Sequence, residues 1–191
     1  MREAFVAADV SLESIERLVL VQEDLGPVIV SRGGEPRWVA APSMHLTLKA
    51  LGSMDDALIY DVAQTISKLT ASLVPFKVSV EGLFAHPTPA RPRLLMSRVG
   101  AGAELIERLQ KVIEAHLYGI GVEHDPRPFS PIIQVGRVRT PSRAVDLSDV
   151  MATTATLDLG ESYIKNLMLL QTELGPRGPQ ATVYKRFPLG V

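Results

Sequence analysis

The spacing of apolar residues divides the chain into strand-like and helix-like segments. Alternating apolar and polar positions, or short runs rich in β-branched and aromatic residues, predict strands. The predicted strands cover residues 3–10, 37–40, 44–51, 76–85, 94–99, 132–138, 154–159, 163–173 and 182–188.

Three other segments carry apolar residues at helical spacing. Ser11 is the predicted N-cap of the first helix, and Gly26 is expected to end it. The second helix opens at residues 53–56, and the third covers residues 103–117. The predicted buried stripes are Leu12, Ile15, Leu18 and Val19; Leu58, Val62, Ile66 and Leu69; and Leu105, Leu109, Val112 and His116.

This order of segments predicts the fold class. Strands alternate with helices and are then grouped in hairpins, which indicates an α+β protein with largely antiparallel sheets. The proline-rich stretch 86–93, HPTPARPR, is predicted to be a stiff loop, and GPRGPQ at 175–180 a turn. With 191 residues, we expect one domain spanning residues 1–191.

Composition and charge narrow the possible chemistry. The chain has no cysteine, which excludes disulfides, thiolate nucleophiles and cysteine-ligated metals. Its formal net charge of -1 gives no bulk attraction to nucleic acid or membrane, so a polyanion site has to be local. No apolar stretch reaches the length of a signal peptide or membrane span, so we expect a soluble, cytoplasmic protein that binds no membrane.

The stretch SMHLTLKALG, residues 43–52, carries the first candidate chemistry. On a strand, His45 and Thr47 share one face while the neighbouring leucines face a core. An imidazole can transfer a proton near neutral pH and a hydroxyl can donate to a phosphate oxygen, and neither needs a metal. Taken alone, the tripeptide favours the alternative of an ordinary strand histidine in a local hydrogen bond.

Five segments in chain order resemble the 2H phosphoesterase superfamily, specifically its RNA 2',3'-cyclic phosphodiesterase or 2'-5' RNA ligase group. MHLTLKALG matches the first motif, H-x-T-x-x-x-L-G, and RPFSPIIQVGRV aligns with the region of the second. The other three are FVAADVS near the start, GLFAHPTPARPRLLMSRVG in the middle and LLQTELGPRGPQATVYKRFPL near the end.

The resemblance implies a bilobal, pseudo-twofold α+β fold with two antiparallel sheets around a central cleft and helices outside. It implies catalytic roles for His45 and Thr47. One family histidine activates water or an RNA hydroxyl, the other protonates the leaving oxygen, and the threonines hold phosphate. The implied partners are RNA ends or cyclic nucleotides bound in the cleft of a monomer, with no cofactor.

The second motif departs from the family pattern. Ile132 stands where its histidine should be, and Gln134 where its threonine should be. Isoleucine cannot transfer a proton, and the loss of one acid or base typically costs a factor of about 10² to 10⁴ in rate. The amide of Gln134 can still bind phosphate, and Arg93 and Arg137 are predicted to line the cleft.

Two hypotheses therefore stay open. The chain is either a metal-independent phosphodiesterase with impaired turnover, or a non-catalytic module that binds RNA ends or nucleotides. His86 is the first candidate to replace the missing histidine, although a solvated position is the simpler expectation for it.

Overall fold

A computed structural model describes residues 2–140, 145–175 and 178–190. Within these ranges the chain forms nine strands, four α-helices and a 3-10 helix at Ala41–Ser43. In chain order the elements are β1 (Arg2–Ala8), α1 (Leu12–Ser31), β2 (Glu35–Trp38), β3 (Leu46–Met54), α2 (Asp56–Thr70), β4 (Phe76–Thr88), β5 (Arg91–Val99), α3 (Ala103–Tyr118), β6 (Ile132–Arg139), α4 (Ser148–Thr154), β7 (Asp158–Ile164), β8 (Asn166–Gly175) and β9 (Gly178–Pro188).

The strands form one curled antiparallel sheet in the order β7-β4-β5-β6-β3-β1-β8-β9, with β2 added alongside β6. The first half of this sheet contains β3, β1, β8 and β9, and the second contains β6, β5, β4, β7 and β2. The halves meet where β3 runs beside β6, through the single registered pair Leu46 and Ile133. The predicted α+β class, with antiparallel pairing, is confirmed.

The two faces of the sheet differ in what covers them. Helices α1, α2 and α3 pack on one face, where the main apolar core contains Val6, Leu46, Ile133 and Leu169. The opposite face carries a small separate cluster of Ala7, Met168 and Leu170, with Phe5 packed against it. We call this second face the open face. No helix in the described ranges is long and apolar enough to cross a bilayer.

Helix α1 runs beyond its predicted end at Gly26. Its buried stripe continues through Leu25 to Ile29, and packing of these side chains favours the helix despite Gly26 and Pro27. The helix ends instead at Ser31. Gly33, whose φ of 86° suits glycine, follows two residues later, and the Gly34 N–H donates to the Ile29 carbonyl. The predicted inclusion of Leu12 in the stripe is wrong, because that side chain is 69% exposed.

Helix α3 lies where it was predicted, but its buried stripe is rotated by one residue. Ile106, Leu109, Ile113 and Leu117 are buried, whereas Leu105 and Val112 are partly exposed. The predicted placement of His116 on the apolar stripe is therefore wrong. It is exposed, and its Nδ1 lies 2.8 Å from the Val112 carbonyl one turn earlier.

The predicted proline-rich loop at 86–93 is wrong, because it forms the paired tips of β4 and β5. His86 pairs with Leu94, Pro87 with Pro92 and Thr88 with Arg91, with a register shift between the first two pairs. Prolines are tolerated at such irregular strand ends because no regular ladder bond is lost there.

The C-terminal third also differs in detail. Helix α4 was not predicted, and the strand expected at 154–159 is shifted to Asp158–Ile164. Within the predicted turn, residues 176 and 177 lie outside the described residues.

Candidate active site

The two motif regions meet at the centre of the sheet. Leu46 of β3 pairs with Ile133 of β6, and continuing this antiparallel register by one residue on each side places His45 across from Gln134 and Thr47 across from Ile132. Because Leu46 and Ile133 are buried on the helix-covered face, these four alternate residues point to the open face. The first motif and the degenerate second motif therefore form one site.

The His45 ring is held in one tautomer just before β3. Its Nδ1 lies 2.8 Å from the Ser43 carbonyl, and because a carbonyl only accepts, Nδ1 carries the proton. Burial lowers the pKa of His45, and the backbone hydrogen bond to Ser43 opposes this only in part. The imidazole is thus neutral near pH 7, with the Nε2 lone pair available as a base.

An aromatic ring fixes the plane of this imidazole. Phe5 of β1 stacks on His45 with ring centroids 5.6 Å apart and an angle of 18° between the planes. Sequence reasoning missed Phe5, because a phenylalanine in a strand is more often a core residue. The stack restricts rotation of the ring, so Nε2 keeps a fixed direction on the open face.

Thr47 is exposed on the open face and pairs with Ala7, whose small side chain leaves space above it. Immediately afterwards β3 bulges: Val6 pairs with Lys49 and Ala7 with Thr47, so Leu48 has no partner. The bulge directs both Leu48 and Lys49 to the helix-covered face. Thr47 consequently points to the open face, while the two residues that follow it point away from that face.

The Lys49 side chain is fully buried and anchors the site. Its Nζ donates at 2.9 Å to each carboxylate oxygen of Glu114 on α3 and at 2.7 Å to the Glu123 carbonyl. The exposed His124 places Nδ1 3.0 Å from Glu114. Lys49 thus ties the first motif to the segment that leads into the second, a connection that sequence reasoning missed.

The second half of the site has no proton-transferring group in the motif positions. Ile132 and Gln134 are half-buried on β6, where they pair with Arg98 and Met96 of β5. Arg98 lies on the same face as Ile132, and its guanidinium carbon is 5.3 Å from the centroid of the Phe84 ring. Neither Arg98 nor Phe84 was a predicted site residue, because their position depends on pairing between strands distant in sequence.

The other predicted site residues lie farther along the sheet. Arg137 is exposed and pairs with Leu94 on one side and Arg37 on the other. Arg93 is exposed at the register shift of the β4–β5 hairpin. His86 pairs with Leu94, so it shares the row of Arg137 rather than that of Gln134. Two strand spacings, roughly 10 Å, separate His86 from β6.

A cavity opens beside each half of the site. The first, of about 220 Å³, is lined by His45, Met168 and Arg186, among others. The second, of about 340 Å³, is lined by Phe84, Arg98, Glu107, Val99, Ala103, Ser130, Pro131 and Ile132. In the part of the chain that the structure describes, no three histidine or carboxylate side chains are placed to hold a metal ion.

Comparison with known proteins agrees with this geometry. The family model described as LigT like Phosphoesterase matches residues 12–96, which include the first motif. A protein of Archaeoglobus fulgidus named RNA 2',3'-cyclic phosphodiesterase is 29% identical over 181 residues, covering 95% of each chain. The resemblance to the 2H phosphoesterase superfamily is confirmed.

Solved structures extend the similarity to the whole 2H phosphoesterase fold. The crystal structure of TT0787 of Thermus thermophilus has a TM-score of 0.81 and 25% identity, covering 100% of this chain and 98% of that one. E. coli LigT complexed with 3'-AMP has a TM-score of 0.76, 19% identity and coverage of 100% and 99%. The second of these shows the fold alone. Phosphoesterase function is supported by the family and its named relatives.

Proposed function

We propose that this chain hydrolyses 2',3'-cyclic phosphates of RNA ends or nucleotides, with His45 as its one acid–base residue and with reduced turnover. The observation that carries the proposal is the neutral His45 ring, whose Nδ1 donates its proton to the Ser43 carbonyl. Its Nε2 has no hydrogen-bond partner among the described residues, and Thr47 lies on the same strand face. Similarity to RNA 2',3'-cyclic phosphodiesterases supports the substrate class.

In the proposed reaction Nε2 of His45 accepts a proton from water as the water oxygen attacks phosphorus. The bond between phosphorus and one ribose oxygen breaks, and a phosphomonoester with a free hydroxyl forms. Thr47 donates its hydroxyl hydrogen to a non-bridging phosphate oxygen, and the Gln134 amide across the strand pair donates to another. The base also suits an RNA hydroxyl as nucleophile, which would form a 2'-5' linkage instead.

The leaving ribose oxygen must gain a proton, and Ile132 has none to give. In this site that proton comes from solvent. The absence of a positioned acid costs a factor of about 10² to 10⁴ relative to a site with both groups. We therefore propose slow turnover that needs no metal ion and depends on one titrating residue.

A second candidate function is binding without turnover. It is favoured by the replacement of the second-motif histidine by Ile132 at a position that faces Thr47. In that case the cleft would retain RNA ends or nucleotides and release them unchanged.

Hydrolysis of adenosine 2',3'-cyclic phosphate separates the two functions. The enzyme proposal expects slow conversion to adenosine monophosphate that His45→Ala abolishes and that His116→Ala, a substitution of an exposed histidine on α3, leaves intact. Equal background rates for the wild-type protein and His45→Ala would overturn the enzyme proposal and leave the binding function.

A further inference from the structure

An arginine with no role in the proposed reaction lies beside the second motif. Arg98 of β5 pairs in register with Ile132 of β6, and Thr47 lies across β6 in the same row. Leu95 and Val99 of β5 are buried on the helix-covered face, so strand alternation directs Arg98 to the open face with Ile132. A cation therefore lies next to the position where the second motif lacks its histidine.

The surroundings keep this guanidinium oriented and available. It lies over the Phe84 ring at 5.3 Å, which holds its plane by a cation–π contact. Two acidic groups are near: Glu81 pairs with Arg98 across β4 and β5, and Glu107 lines the same cavity. In the described residues neither forms an ion pair with Arg98, whereas Arg17, Arg32, Arg127 and Arg139 each have a carboxylate partner.

We propose that Arg98 binds the phosphate of a nucleoside 2'- or 3'-monophosphate end in the half of the cleft where Ile132 replaces histidine. A guanidinium offers a planar fork of N–H donors that matches phosphate oxygens. It holds its proton throughout the accessible pH range, so it binds anions without acting as an acid. The inference rests on the proposed phosphoester site and adds a ligand preference to it.

The preference follows from charge. A phosphomonoester carries a charge of about -1.5 to -2 near pH 7. A cyclic phosphodiester carries one negative charge, and adenosine carries none. Arg98 should therefore strengthen binding most for the monoester, which makes this half of the cleft a site for phosphate-bearing ends.

Titration calorimetry with 3'-AMP, adenosine 2',3'-cyclic phosphate and adenosine tests the inference. The cyclic ligand is titrated into His45→Ala protein so that it is not consumed. Arg98→Ala should weaken 3'-AMP binding roughly tenfold, the cyclic phosphate less and adenosine not at all. Arg98→Lys should restore part of the loss. The control Arg108→Ala removes an exposed arginine of α3 and should change none of the three affinities.

Glu107→Gln should change the affinity for 3'-AMP in the opposite direction. Removing this negative charge from the Arg98 cavity should tighten 3'-AMP binding by a small factor, which a loss of folding would not produce. Unchanged 3'-AMP affinity in Arg98→Ala, an equal loss for adenosine, or no binding of 3'-AMP to the wild-type protein would overturn the inference. The proposed hydrolysis is judged separately, by turnover of the cyclic phosphate in wild-type protein and His45→Ala.

Discussion

The two halves of the site use the same backbone arrangement for different chemistry. Just before β3, the neutral His45 ring has a fixed tautomer and stacks on Phe5, and the exposed Thr47 follows on the strand. On β6, Ile132 and Gln134 occupy the corresponding alternate positions, and the nearest cation on the open face of β5 is Arg98 over Phe84. In the function proposed above, the first half moves a proton and the second half binds an anion.

This difference separates fold from catalytic competence. The strand register that brings the halves together depends on buried residues such as Leu46 and Ile133, not on the residues that face the cleft. The open-face residues can therefore change without loss of the fold. A similar sheet is compatible with a two-histidine reaction, a one-base reaction or binding alone.

Removal of the His45 imidazole should have the largest effect on turnover of all the substitutions that separate the two halves. We expect His45→Ala to lower kcat/KM for adenosine 2',3'-cyclic phosphate by a factor of about 10² to 10⁴, because no group on β6 can take over proton transfer. Chromatographic assay of the product measures this. Ile132→Ala, which removes an apolar cleft residue, should change the rate much less. Comparable losses in both variants would contradict distinct roles for the halves.

The buried ion pair of Lys49 with Glu114, which links the two halves, should contribute strongly to the free energy of unfolding. Lys49→Met leaves Glu114 without its buried ammonium partner and should lower the free energy of unfolding by about 3 kcal/mol, measured by urea denaturation. Lys49→Met combined with Glu114→Leu should recover most of this loss, because no uncompensated charge remains. A loss in Lys49→Met no larger than that of an exposed variant such as Lys68→Met would contradict the anchoring role.

The pH dependence should show one titrating group rather than two. Burial lowers the pKa of His45 below 6.5. In the proposed reaction the neutral form of the ring is the active one. The rate should therefore fall about tenfold per pH unit below that pKa and stay level from there to pH 8, because Ile132 puts no titrating group in the second motif position. A descending limb between pH 6 and 8 would reveal a second acid and contradict the one-base account.

The smallest effect on ligand binding is expected from Arg137, at the edge of the second half. Arg137 is exposed beside Arg37, so Arg137→Ala should weaken 3'-AMP binding by no more than about fivefold. Its contribution should shrink as salt increases, because exposed charges are screened. Calorimetry at two salt concentrations measures both effects, with Arg108→Ala as the matched control. A loss exceeding that of Arg98→Ala would reverse the assignment of the two arginines.

The sequence was informative where local pattern determines structure. The alternation around Leu46 and Leu48 predicted which residues face the core. The resemblance to the 2H phosphoesterases along the whole chain predicted the fold. The burial of Leu46 and Leu48 agrees with the first prediction, and the similarity to the TT0787 and LigT structures agrees with the second. The departure of the second motif from the family pattern could also be read from the sequence, because the residues around Ile132 still match that pattern.

Features created by contacts between distant segments were not predictable in this way. A bulge at Leu48 turns Lys49 toward Glu114, against simple alternation. Arg98 reaches the site only through the register of β5 with β6. The paired prolines of the β4–β5 hairpin follow from the neighbouring ladder rather than from local propensity.

In the proposed site, β6 lacks only the histidine and threonine of an otherwise intact second motif. The double substitution Ile132→His with Gln134→Thr tests it most directly, with kcat/KM for adenosine 2',3'-cyclic phosphate as the measurement and circular dichroism as a check on folding. We expect a gain of about 10² to 10⁴ that is lost again when His45→Ala is added. A folded double variant with no gain would contradict it and indicate a cleft rebuilt for different chemistry.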